Sequence, residues 1–129
     1  MASSIKYMIL AVLIGCHVED SSSLQEPPKA FARSVDCENI PWNWSNVGQP
    51  FMLTWCTSCH HPDLVGSEVR QGAPDAYNFH SYSETVSHAP NIMNRVIDQT
   101  PSPMPPAGGP SEKELQRLYE WIDCGMPEN

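Results

Sequence analysis

The chain has 129 residues, with 15 Asp and Glu against 7 Lys and Arg and a formal net charge of −8. That length suits one compact domain, and the acidity repels the phosphates of nucleic acid and gains nothing from an anionic lipid surface. If charge steers an encounter, the partner presents a basic patch; otherwise the acidity serves solubility.

Lys6 and the run Tyr7-Met8-Ile9-Leu10-Ala11-Val12-Leu13-Ile14 open the chain. The run is too short to span a bilayer as a helix, but long enough for the core of a signal peptide. It ends in Leu13-Ile14-Gly15-Cys16, which resembles the bacterial lipobox, where cleavage precedes the cysteine and that cysteine takes lipid. An ordinary secretory peptide cut after Gly15 is the alternative. Either reading exports the protein from a bacterial cytoplasm. The lipobox reading anchors it in the cell envelope, facing the periplasm, with the outer membrane favoured. Residues 1–15 are thus the expected leader. Residues 16–36, with three consecutive serines and Pro27-Pro28 but only Leu24 and Phe31 as larger apolar residues, read as a flexible tether. The folded domain is expected over residues 37–129.

Val47, Phe51 and Trp55 fall at i, i+4 and i+8. The spacing predicts a helix capped near Ser45, or starting near Gln49 because of Pro50, and running on until His61-Pro62 ends it. It runs into Cys56-Thr57-Ser58-Cys59-His60. This C-x-x-C-H spacing is the attachment signal for c-type haem. Two thiols three residues apart on a helical turn share a face and can add to the two vinyl groups of one porphyrin, and the next residue, His60, then reaches the iron. A thiol redox pair would want a buried strand before it, and none is apparent. A zinc site completed by His80 and His88 fits no common ligand spacing. The tryptophans read as packing, and the sequon Asn43-Trp44-Ser45 is idle in a bacterial lipoprotein.

The stretch 63–78, with Gly66, Gly72 and Pro74, reads as loop. Arg70 is its sole cation, and is expected either to meet a haem propionate or to be solvated. Ser83 is expected to open a short helix that Pro90 interrupts and restarts, with Ile92 and Val96, joined by Met93 and Ile97, as its buried stripe. Met104 stands in Thr100-Pro101-Ser102-Pro103-Met104-Pro105-Pro106-Ala107-Gly108-Gly109-Pro110. The prolines stiffen that loop, and a weak thioether ligand stays on iron only when its loop is already placed, so Met104 is the expected distal ligand. Ser111 and Glu114 form a capping box for a last amphipathic helix with Leu115, Leu118, Tyr119 and Ile122, stopped by Gly125. That helix is expected to cross the one entering the motif. With Cys16 assigned to lipid and Cys56 and Cys59 to haem, Cys37 and Cys124 remain, as a disulfide in an oxidising compartment or as two buried thiols.

Together the C-x-x-C-H, the Met-Pro-Pro loop and the closing helix with Tyr119-Glu120-Trp121-Ile122 resemble the class I cytochrome c domain over residues 42–125. Gly72-Ala73-Pro74, Asn78-Phe79 and Trp121-Ile122-Asp123-Cys124-Gly125 are similar to single-haem cytochrome c lipoproteins of myxobacteria and their relatives. The resemblance implies an all-α fold of three to five short helices around one covalent haem c, with first and last helices crossing. It implies thioether links at Cys56 and Cys59, axial ligation by His60 and Met104, and a proline carbonyl on the second nitrogen of His60, with Pro74 the candidate and Pro62 the weaker one. Pro90 departs from the family's usual continuous central helix. The expected role is single-electron transfer between periplasmic protein partners by a monomer that is not an enzyme. The alternative is a haem sensor or enzyme subunit with an open or exchangeable distal site. A purely structural lipoprotein would leave the Cys-His spacing unexplained.

Overall fold

The computed structural model describes residues 34–129. The expected leader, Cys16 and nearly all of the tether lie outside the described residues. Among the described residues the regular structure is helical, without a strand.

The first helical path begins at Asn43 rather than Ser45. Asn43 is extended (φ −144°); its side chain accepts the Asn46 N–H at 3.0 Å, and Asn46 Oδ1 accepts the Asn43 N–H at 2.8 Å. This reciprocal box satisfies donors that a helix start leaves open. One wide π-helical turn, Trp44–Gly48, then leads directly into α1, Gln49–Trp55. Pro50 falls in the first turn of α1, directly after the wide turn. Val47 and Phe51 are buried and Trp55 is half-buried, as their spacing requires.

α1 stops before the motif, where the expected helix continued. The Thr57 N–H reaches back to the Met52 carbonyl at 3.0 Å, while the Thr57 hydroxyl donates to the Leu53 carbonyl at 3.1 Å, the group an α-helix would give to that N–H. A side chain thus competes with the backbone ladder. The chain tightens, and the N–H groups of Cys59 and His60 both donate to the Cys56 carbonyl, at 3.1 and 2.9 Å.

After a long loop, α2 spans Tyr82–Ser87, capped by Ser81 rather than Ser83. α3, Ala89–Ile92, restarts at once with Pro90 in its first turn and widens into a second π-helical turn, Met93–Ile97. Ile92, Val96 and Ile97 are buried. α4, Glu112–Asp123, carries the expected Ser111 and Glu114 box, and Gly125 (φ +84°) turns the chain out of it.

α4 packs on both wide turns. Its Trp121 lies on Gly48 so closely that a Cβ there would stand 2.6 Å from the indole. The Trp44 and Trp121 rings lie 6.0 Å apart, and Trp121 Nε1 and the Trp44 N–H both donate to the Pro127 carbonyl, at 3.0 Å. Tyr82 donates to the Met126 carbonyl at 2.8 Å, joining α2 to the same tail. The disulfide between Cys37 and Cys124, 87 residues apart, ties the start of the domain to the end of α4.

Candidate functional site

Beside the core is a cavity of about 800 Å³ whose wall includes Cys56, Cys59, His60, Phe79, Val96 and Met104. That volume lies within the roughly 300–1,000 Å³ of ligand and cofactor sites. Three segments of the fold meet there: the turn after α1, the loop 70–79, and α3 with its wide turn and the loop 100–107. C-x-x-C-H and Met104, 44 residues beyond its histidine in the sequence, thus line the same cavity.

Cys56 and Cys59 are both free thiols. Burial pushes the Cys56 thiol up to about 12, with the neighbouring Cys59 adding to the effect. A thiol redox centre wants the opposite, a lowered thiol that attacks as thiolate.

His60 is half-buried, 4.9 Å from the ring of Phe79. Its Nδ1 lies 3.0 Å from the Tyr77 carbonyl oxygen. A carbonyl only accepts, so Nδ1 carries the proton and Nε2 keeps its lone pair. Burial lowers the imidazole's affinity for a second proton; the Tyr77 carbonyl opposes this, and the charges of Arg70 and His88 add to it. A neutral imidazole with a fixed tautomer and a free Nε2 is the form that binds a metal.

Two expectations for the loop need correction. The carbonyl on His60 belongs to Tyr77, not to Pro74 or Pro62. That of Pro74 instead accepts from Arg70 Nη2 at 2.9 Å. Arg70 is neither solvated nor free for a propionate. It is 1% exposed, and its Nε–H donates to Ala73 at 3.0 Å, Nη1 to the His61 carbonyl at 2.6 Å and Asn78 Oδ1 at 3.2 Å, and Nη2 to Pro74 and Tyr77, both at 2.9 Å. The loop wraps its carbonyls around the guanidinium, whose five N–H groups are all engaged. The left-handed Gln71 and Gly72, at φ +52° and +82°, reverse the chain to bring these carbonyls inward.

Met104 is half-buried, and its N–H donates to the Arg95 carbonyl at 2.8 Å. The Arg95 side chain donates from Nε and Nη2 to the carbonyl and hydroxyl of Ser102, each at 2.7 Å. Further along, Gly109 (φ +127°) lies on the Trp55 ring, leaving no room for a Cβ. Sequence reasoning missed Arg95, Tyr77 and Gly109. Two act through backbone atoms, which carry no residue-type signal, and Arg95 looked like any helix-end cation.

His80 is exposed, with its ring 5.3 Å from that of His61. His88 stacks on Tyr77 at 4.7 Å and bonds the Ala76 carbonyl through Nε2 at 3.0 Å. Neither histidine lines the cavity, so the zinc site that would join them to Cys56 and Cys59 is not assembled. No family model, no curated protein and no solved structure matches the chain.

Proposed function

We propose that this chain is a single-haem c-type cytochrome of the class I fold that carries single electrons between protein partners. Cys56 and Cys59 would hold the haem covalently, and His60 and Met104 would be its axial ligands. The reading further makes it an exported, lipid-anchored protein of the bacterial periplasm whose partner meets an acidic surface.

One observation carries the reading. Two free thiols, a neutral imidazole and a thioether, drawn from two distant parts of the sequence, line a single cavity large enough for a cofactor. When bound, haem supplies a one-electron ferrous/ferric couple. The chain's own residues do the rest. Tyr77 fixes the tautomer and ring plane of His60. Phe79, Ile92 and Val96, all buried, give the cavity an apolar stretch of lining against which a porphyrin face would pack. Arg95 holds the loop of Met104, so a weak ligand meets little entropic resistance to staying in place. With both His60 and Met104 held in place by the chain, a bound iron would change its surroundings little between oxidation states, which would suit electron transfer better than substrate binding.

The test is the visible spectrum of the matured domain. Methionine ligation gives the ferric protein a weak long-wavelength band that disappears in Met104→Ala. If the unmutated ferrous protein binds carbon monoxide rapidly, the distal site is exchangeable and electron carriage is the wrong conclusion.

A further inference from the structure

We propose that Arg70 is a positioning residue that sets the ligand strength of His60 through the Tyr77 carbonyl they share. The inference rests on the reading of His60 as an iron ligand.

The Tyr77 oxygen accepts two hydrogen bonds, from His60 Nδ1–H at 3.0 Å and from Arg70 Nη2–H at 2.9 Å. A carbonyl oxygen has two lone pairs, so both are used. A carbonyl on the far side of a metal-bound imidazole normally raises the ligand's basicity by drawing on its N–H. Here a cation competes for the same oxygen. Charge-assisted bonds are about twice as strong as neutral ones, so Arg70 withdraws electron density that would otherwise pull on the His60 proton. His60 is then a weaker donor than a carbonyl of its own would make it, and the iron's ferric state gains less from it.

The charge itself acts in the same direction. Arg70 is 1% exposed, and a positive charge in a low-dielectric interior disfavours the more positive oxidation state nearby. Asp75 lies 3.4 Å from its Nε, but that carboxylate is 93% exposed and water screens it. The same guanidinium holds the carbonyls of His61, Ala73 and Pro74. The geometry of the shared oxygen is therefore set by the group that polarises it.

Arg70→Gln and Arg70→Lys in the haem-loaded protein test this, read by reduction potential and by the NMR signal of the His60 Nδ1 proton. Gln removes the charge; the potential falls, and the Nδ1 proton moves downfield and exchanges more slowly because it now has the Tyr77 oxygen to itself. Lys keeps the charge without the planar fork and gives a smaller change of the same sign; it carries the test if the Gln variant does not retain haem. A potential that stays or rises overturns the proposal. So does a fall accompanied by faster exchange of the Nδ1 proton, which means that the loop has opened and Arg70 is a structural brace alone. An unmutated protein without haem removes the reading beneath, which is a different failure.

Discussion

At the scale of single residues, two of the four Lys and Arg among the described residues are spent on loops that carry or flank candidate ligands. Arg70 gathers the loop beside His60, and Arg95 straps the loop of Met104. Hydrogen bonds to a charged group contribute about 1.5–3 kcal/mol each, and every ~1.4 kcal/mol is tenfold in a population. Arg95→Ala should therefore raise the rate of carbon monoxide binding to the ferrous protein by roughly tenfold or more, while the Met104 N–H bond to the Arg95 backbone is kept. An unchanged rate in stopped flow would mean the loop is held by its prolines alone. Gly48 is the other position where one atom decides. A methyl group there would meet Trp44 at 2.5 Å and Trp121 at 2.6 Å, and overpacking of this kind costs about 1–3 kcal/mol. Gly48→Ala should lower the urea midpoint accordingly, with the slope unchanged. The candidate ligands could be named from the sequence because thiol, imidazole and thioether chemistry is a property of residue type, and the fold brings them to one cavity. Pro74 was the wrong choice for the His60 carbonyl because any residue offers one, and only the fold of the loop around Arg70 selects Tyr77.

At the scale of elements, Glu114 joins three parts of the chain. Its Oε2 accepts from the Ser111 hydroxyl and N–H, and its Oε1 from the Trp55 indole at 3.2 Å. The cap of α4 thus also fixes the ring on which Gly109 rests. The Ser111 hydroxyl first, then its N–H, hold the Glu114 carboxyl below its usual range against an opposing effect of burial, with lesser help from the Trp55 N–H and the Arg117 charge. A folded-state value that is depressed means stability present above the unfolded-state value and lost as pH falls through the folded one. Ser111→Ala should cost about 1 kcal/mol at neutral pH. That difference should shrink as pH falls below the ordinary glutamate range, in urea titrations at each pH. A constant difference would show that the hydroxyl acts on the Glu114 N–H alone. The capping box of α4 and the break at Pro90 were readable because both are local chemistry. The true start of the first helix was not: Asn43 wins over Ser45 through a reciprocal bond to Asn46 and a wide turn that no 3.6-residue pattern contains.

At the scale of the whole molecule, the helices are short, and the C-terminal tail and the disulfide draw them together around the cavity. The Cys37–Cys124 bond closes a segment of 87 residues. For loops of this size the chain-entropy argument gives about 4–5 kcal/mol, often more than is measured. A domain has only about 5–15 kcal/mol in total, so reduction should lower the urea midpoint sharply and leave Cys56 and Cys59 untouched. An unmoved midpoint would place the stability in the α4 contacts alone. The central claim is that Cys56 and Cys59 exist to hold a haem against His60 and Met104. It is tested most directly by the mass and colour of the matured, denatured domain. One haem should remain covalently attached after denaturation and be lost when both cysteines are changed to Ala. A colourless matured chain, with both thiols open to alkylation, would contradict it.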